Sequence, residues 1–248
     1  MSAPVVLLHG SFGCGEDWRE VADQLNCGAV TPDLPAHGAR FEDVAPSFDH
    51  AADEVARQLP EGCDLVGYSL GGRLALAAAL RVPPGRVRSL TLESTHPGLE
   101  PPARERRRRR DLERSAAIAS DPEAFLREFY AAPLFESFRA RPRFEAVIRE
   151  RITRARRSPK SLAQTFAALS VGNQPALASA LLDAEIPTML IVGEHDPKYA
   201  ALASDLVASP NARPDLVMTA VSAAGHNVHL ERPEAFVNAL RAFWEGLR

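Results

Sequence analysis

Three side chains in this sequence are of the types, and in the order, that nucleophilic catalysis needs. Ser69 lies in Gly67-Tyr68-Ser69-Leu70-Gly71, a G-x-S-x-G pattern. Cys63-Asp64-Leu65-Val66, of strand type, runs ahead of it, and the Ala/Leu-rich stretch from Gly72 to Leu80, a helix former, follows. A strand turning this sharply into a helix holds its serine strained with the hydroxyl exposed, and the small residues two before and two after let the backbone approach its neighbours. A serine hydroxyl needs an imidazole to take its proton and a carboxylate to orient that imidazole. Asp196, in Gly193-Glu194-His195-Asp196, and His226, in Ala224-Gly225-His226-Asn227, each follow a strand-like run, in the chain order serine, acid, histidine that such a turn uses. The reading is a catalytic triad of Ser69, Asp196 and His226.

Neighbours of the same residue types are the rivals. Glu194 shares its strand end with Asp196, but Asp196 holds the turn position before Pro197. His229 enters a helical approach rather than the turn, and His195 is expected to face solvent. The His195/Asp196 and His226/His229 pairs come nearest to metal-ligand spacing, and they fall short of the convergent donor set a metal site requires. No metal and no cofactor is expected. The loop His9-Gly10-Ser11 follows the first apolar strand, where the backbone N–H of Ser11 is placed to stabilise an oxyanion together with that of Leu70. His9 and His37 are read as pins for their own loops.

Arg73 stands four residues after Ser69, one turn along the same helix face. A guanidinium beside a nucleophile suits an anionic substrate, because it pairs bidentately with carboxylate. The plainer alternative is a salt-bridged arginine on a helix surface. Between Arg104 and Arg157 the chain carries sixteen arginines against nine acidic residues, and the remainder carries thirteen basic against twenty-three acidic residues. That asymmetry is informative even though the net charge is only −3. The run from Arg104 to Asp111 cannot aim all its charges one way. Most must face solvent or pair with Glu105, Asp111 and Glu113, leaving one or two to line the site. The modest net charge, with no aromatic residues interleaved in the run, argues against a nucleic-acid partner.

The elements that must position these groups alternate. Apolar strands are expected at 3–8, 29–33, 63–66, 87–93, 186–193 and 215–221, with helices at 17–25, 47–59, 72–80 and 233–247 between and after them. Such alternation builds a mostly parallel, doubly wound α/β sheet with its loops of interest at the carboxyl ends of the strands. From residue 100 to 183 the pattern changes to helical stretches punctuated by prolines, with no strand. This reads as an all-helical cap, so that 1–98 and 184–248 form the core and 99–183 the insertion. The 248 residues, 46% hydrophobic and 25% charged, suit one soluble α/β domain with an insertion. Three cysteines without metal spacing argue against a disulfide framework. With no leader pattern and no apolar run long enough to span a bilayer, the expectation is a cytoplasmic protein without membrane insertion.

With these residues in place, the chain resembles the α/β-hydrolase fold over nearly its whole length. More narrowly it resembles the 2-succinyl-6-hydroxy-2,4-cyclohexadiene-1-carboxylate synthases of menaquinone biosynthesis. The matching pieces are Leu8-His9-Gly10, Asp33 to Gly38, Val66 to Arg73, His96-Pro97-Gly98-Leu99, Pro133-Leu134-Phe135, Gly193 to Tyr199 and Ala224 to His229. The elbow ending in Tyr-Ser-Leu-Gly-Gly-Arg, the His-Pro-Gly-Leu and the Gly-His-Asn-x-His are the specific ones. Two departures stand out: Ala36 replaces a usual glycine, and Phe129 stands before Tyr130 where that family often has tryptophan.

The resemblance implies a lyase that eliminates pyruvate from 2-succinyl-5-enolpyruvyl-6-hydroxy-3-cyclohexene-1-carboxylate, by proton abstraction that the triad starts. It carries Arg73 over directly, Arg107 (with Arg108 as the alternative register) ahead of Asp111, and Arg154 ahead of Ser161-Leu162 as substrate-binding arginines. Tyr68, Lys198 and Phe129 are lesser candidates. The partner implied is a small polycarboxylate. A serine hydrolase acting on a small anionic ester, or a ligand-binding protein without catalysis, are the alternatives. The oligomeric state is left open.

Overall fold

The computed structural model describes residues 3–247. Five parallel strands stand in sequence order: β1 (Val5–Leu8), β2 (Cys63–Tyr68), β3 (Val87–Glu93), β4 (Thr188–Gly193) and β5 (Leu216–Val221). Every residue of β1, β2 and β4 is buried. The largely apolar runs, broken in β2 by Asp64, which accepts from Ser89 Oγ at 2.5 Å, are those of strands covered on both faces. Successive side chains point to opposite faces. Val6 and Leu8 pack with Leu65 and Leu76 on one side, while Val5 and Leu7 pack with Trp18, Phe236 and Leu240 on the other.

The helices follow from this. α1 (Arg19–Leu25) and α12 (Pro233–Gly246) cover one face, and α2 (Phe48–Gln58) and α3 (Leu70–Ala79) lie on the other. Each large apolar side chain sealed here, such as Phe236 or Leu240 at 0% exposure, contributes about 1.5–3 kcal/mol of burial. Ser47 caps α2 by accepting from the His50 N–H at 3.1 Å.

The strand expected at 29–33 does not form. Val30 makes an isolated bridge beside Val6, exchanging Leu7 N–H to Val30 O at 2.9 Å and Val30 N–H to Val5 O at 2.8 Å. Pro32 has no N–H to continue the ladder, and Val30, 53% exposed, lies at the sheet's rim.

Between β3 and β4 the chain forms only helices: α4 (Ala103–Ser120), α5 (Pro122–Ala131), α6 (Glu136–Arg139), α7 (Phe144–Ala155), α8 (Pro159–Ala168) and α9 (Ala178–Asp183). Ile118, Phe125, Leu126, Tyr130, Ile148 and Leu162 build their core, which reaches down to Phe12 and Ala36 in the loops below. After β4 and β5 come α10 (Pro197–Val207) and α11 (Val228–Glu231). Among the described residues no helix is long and apolar enough to cross a membrane.

Candidate active site

The turn from β2 into α3 has the backbone its sequence calls for. Ser69 sits at φ 49°, ψ −103°, a positive-φ conformation that costs a non-glycine residue about 1–3 kcal/mol. Surrounding contacts hold it there: its N–H bonds to Glu93 O at 2.9 Å and its carbonyl accepts from Arg73 N at 3.0 Å. The flanking glycines are required by close packing. A Cβ on Gly67 would lie 2.5 Å from the Gly71 carbonyl, and one on Gly71 would strike the carbonyls of Leu8 and His9.

His226 and Asp196 meet behind this turn. The Nδ1 of His226 lies 2.6 Å from Oδ2 of Asp196, with both side chains at most 3% exposed. The carboxylate's other oxygen caps α10, accepting from Tyr199 N–H at 3.3 Å. Asp196 is therefore fixed by the helix it starts. It orients the imidazole so that Nε2 is the nitrogen free to exchange a proton. Ser69 and His226 both line one cavity of about 750 Å³ between the strand ends and the helical insertion. Around His226 stand the rings of Tyr199 (centroids 4.7 Å apart), Tyr68 (5.4 Å) and Phe135 (5.7 Å).

The rival groups are occupied elsewhere. Glu194 is exposed and accepts from Ala223 N–H at 3.0 Å, and His195 is exposed. His229 is sealed below the site, its Nδ1 2.8 Å from Glu93 Oε2 and its ring stacked on Trp18 at 4.1 Å. His9 and His37 do pin loops. Each presents Nδ1 to a backbone carbonyl (Gly10 and Pro35, both 2.8 Å) and accepts a backbone N–H on Nε2 (from Leu34 and Phe12, both 3.0 Å). Both imidazoles are neutral in this arrangement. Burial pushes the His37 pKa down to about 3, and burial lowers that of His9. The Phe12 N–H is spent on His37. Ser11 and Leu70 both line the cavity, and Leu70 opens α3, where a helix has N–H groups without intrahelical acceptors.

Arg73 is a buried cation on the cavity wall. Its side chain is 7% exposed, its Nη1 donates to Gln174 Oε1 at 3.3 Å, and Phe48 lies under the guanidinium at 5.8 Å. Among the described residues no carboxylate lies within ion-pair distance of it. Burial, and then the Arg107 charge, lower its pKa to about 10, so it remains a cation at neutral pH. A buried, unpaired guanidinium is costly unless something anionic comes to it. Arg107 and Lys198 line the same cavity. Arg107 is oriented by Asp111, Nε to Oδ2 at 2.7 Å, and Ser170 holds that carboxylate at 2.7 Å. Burial and the Arg107 charge pull Lys198 below its usual pKa. An aromatic wall lines the same cavity. Phe12 meets Phe129 edge-on at 5.0 Å and stacks on Phe166 at 5.6 Å.

Arg154 is not brought to the cavity. It lies beside Glu150 at 3.5 Å and Asp17 at 4.0 Å, on the α7 face that also buries Arg151 against Asp17 (2.5 Å). The acidic pull of Asp17 turns this part of α7 toward the β1 loop. Tyr68 lines the cavity, but its hydroxyl is spent on Asn227 Oδ1.

Several site residues escaped the sequence reading. His96, inside the quoted His-Pro-Gly-Leu, lines the cavity. Burial and the charges of Lys198, Arg73 and Arg107 lower its pKa to about 4, and its Nδ1 accepts Gly98 N–H at 3.0 Å. Tyr199, Arg110 and Arg114 line it too. Glu231, with its side chain fully buried, brackets His226 by accepting from Gly225 N–H at 3.0 Å and Asn227 N–H at 3.3 Å, while Ser137 of α6 donates to the same carboxylate. Its only signal in the sequence is an acidic residue five places after His226. Among the described residues no three His, Cys, Asp or Glu side chains are grouped to hold a metal ion.

Residues 5–239 match the Alpha/beta hydrolase family. The 2-succinyl-6-hydroxy-2,4-cyclohexadiene-1-carboxylate synthase of Serratia proteamaculans (strain 568) is 32% identical over 246 residues, covering 96% of this chain and 92% of that protein. Among solved structures, MenH from S. aureus superposes with a TM-score of 0.86 at 26% identity, over 99% of this chain and 94% of that one. A thermophilic esterase from Thermogutta terrifontis, solved with malate bound, does so with a TM-score of 0.79 at 25% identity, over 100% and 91%.

Proposed function

Because the chain belongs to the Alpha/beta hydrolase family and, within it, to the family of the 2-succinyl-6-hydroxy-2,4-cyclohexadiene-1-carboxylate synthases, we propose that it is the lyase of that name in menaquinone biosynthesis. It eliminates pyruvate from 2-succinyl-5-enolpyruvyl-6-hydroxy-3-cyclohexene-1-carboxylate, with Ser69, His226 and Asp196 as its catalytic triad. The observation that carries the reading is Arg73, a buried cation with no carboxylate partner among the described residues, one turn from Ser69. An ester hydrolase for neutral substrates has no use for it.

In the reaction, Asp196 holds the Nδ1 proton of His226 and Nε2 takes the proton of Ser69. The Ser69 oxygen removes a ring proton. The released electron pair forms the ring double bond, and the carbon–oxygen bond to the enolpyruvyl group breaks. The departing enolate takes up a proton, for which protonated His226 is the donor, and leaves as pyruvate. The backbone N–H groups of Ser11 and Leu70 stabilise negative charge developing beside the serine. Arg73, Arg107 and Lys198 neutralise carboxylates, and Phe129 with its aromatic neighbours packs on the ring. Residues 99–183 act as the cap that closes this chamber over the 1–98 and 184–248 core. The three cysteines are unpaired, in keeping with a reducing cytoplasm.

The test is to supply the enolpyruvyl substrate and follow pyruvate. Release is expected, falling about ten-thousand-fold or more in Ser69→Ala. No release, with brisk turnover of activated esters, would replace this reading with an esterase working through an acyl-enzyme.

A further inference from the structure

Helix α4 presents a stripe to the cavity. Arg107, Arg110, Asp111, Arg114 and Ala117 all line it, and their spacing of three and four residues is that of one helix face. The three arginines of that stripe are not equivalent. Arg107 is locked to Asp111 and is felt by Arg73, Lys198 and Tyr199, so it belongs to an inner cluster of cations near Ser69. Arg110 makes no ion pair and no hydrogen bond among the described residues, although it lines the cavity. Arg114 comes no nearer to a carboxylate oxygen than 4.0 Å, at Asp111 Oδ1, an oxygen that is itself without a hydrogen bond. Burial and then the charge of Arg110 lower the pKa of Arg114, so the two guanidinium groups are held as mutually repelling neighbours.

Arg106 and Arg109 of the same helix are likewise unpaired among the described residues, but they are exposed and outside the cavity wall, and several other arginines of the insertion have carboxylate partners. Arg108 pairs with Glu105, Arg127 and Arg156 with Glu123, Arg143 with Glu20 and Arg151 with Asp17. The cavity also has its own carboxylates, Glu113 and Glu128, yet neither forms an ion pair with Arg110 or Arg114. Seven residues of helix separate Arg107 from Arg114, a rise of about 10 Å. The aromatic wall, to which Phe125 and Phe129 of neighbouring α5 belong, lines the same cavity.

We propose that Arg110 and Arg114 form an outer carboxylate subsite, distinct from the inner cluster of Arg73, Arg107 and Lys198, and that the cavity grips an elongated polycarboxylate by both ends with its apolar middle on the aromatic wall. The outer subsite then selects substrates by the separation of their carboxylates. This rests on the anionic-substrate reading above and adds the second point of attachment.

The test is equilibrium binding, by calorimetry, of straight-chain α,ω-dicarboxylates of increasing length and of the matching monocarboxylates to the intact protein. Affinity for the diacids is expected to rise once the chain spans about 10 Å, with no such step for the monoacids. In R110Q/R114Q the long-diacid advantage is expected to fall about tenfold or more while monoacid binding stays as it was. R106Q, an exposed arginine on the same helix outside the cavity wall, is expected to leave both unchanged. Retained cooperative unfolding of each variant shows that the fold is intact. Equal losses for monoacid and diacid, or no loss, would overturn the subsite. Pyruvate release, measured separately, distinguishes the two readings. A length-dependent step without pyruvate release leaves the subsite and removes the lyase. Pyruvate release with an unchanged KM in R110Q/R114Q does the reverse.

Discussion

His226 and His229 lie three residues apart, are both buried, and each sets its Nδ1 against a carboxylate, Asp196 at 2.6 Å and Glu93 at 2.8 Å. As acid–histidine pairs they are near twins. Their surroundings separate them. The ring of His226 opens on the cavity it shares with Ser69, whereas His229 is wedged between Trp18 at 4.1 Å and Tyr68 at 4.8 Å, and its Nε2 is buried without a partner. A polarised imidazole is thus not yet a base. It becomes one only where its second nitrogen reaches a proton that moves. The pair Glu93–His229 instead joins the end of β3 to α11, and so holds the turn that carries His226.

That contrast breaks most visibly under alanine substitution. His226→Ala is expected to lower kcat about ten-thousand-fold or more, with a midpoint of denaturation close to that of the parent. His229→Ala strands the Glu93 carboxylate in the core and is expected to cost about 3–5 kcal/mol in denaturant unfolding. The protein that remains folded keeps its turnover to within about tenfold. If His229→Ala abolished turnover at full stability, the division between acting and bracing histidines would be wrong.

Acid sharpens the same division. His37 is a brace held neutral, with its pKa pushed to about 3 by burial first, against about 6.5 in an unfolded chain. Between those limits the unfolded chain binds a proton that the folded one does not. Stability is therefore full above about pH 6.5 and drains as the pH falls, by about 1.4 kcal/mol per unit for this one group, until about pH 3. His96, lowered to about 4 and partly exposed, adds in the same direction. Denaturant midpoints recorded across pH 4–7 should show this slope, and His37→Gln, whose neutral amide does not titrate, should flatten it.

The smallest effect concerns the loop that His37 braces. Ala36 stands at φ 64°, in the left-handed region that favours glycine. Ala36→Gly is expected to stabilise the protein by about 1 kcal/mol or less, the relief of strain being partly offset by unfolded-chain entropy. Thermal unfolding measures it, and turnover should not change.

The serine turn was legible because its constraints are local. G-x-S-x-G between an apolar strand and an alanine-rich helix has few other ways to fold, and Asp196 and His226 were found by the strand ends they follow. The same logic failed at 29–33, where Pro32 and an exposed rim left one bridge in place of a strand. Arg154, carried over from the resemblance alone, lies outside the cavity wall, because Asp17, distant in the sequence, draws this stretch of α7 toward itself.

What the sequence determined by itself was the set of candidate groups: a strained serine, an acid and a histidine, each after a strand end, and an arginine one turn beyond the serine. These follow from short-range backbone geometry, which neighbouring residues set. Tertiary structure alone decided which of two similar histidines meets the cavity, that Arg73 lies buried with no carboxylate beside it among the described residues, and which arginines of a near-continuous run line the cavity. A run of like residues carries no register of its own. Rotation of α4 is set by its packing on α8 and on the turn after α8, where Gly172 accepts the backbone of Arg108 in the space a side chain would fill. That packing sets half-buried Arg107 and Arg114, and the more exposed Arg110, on the cavity wall and leaves Arg106 and Arg109 outside it.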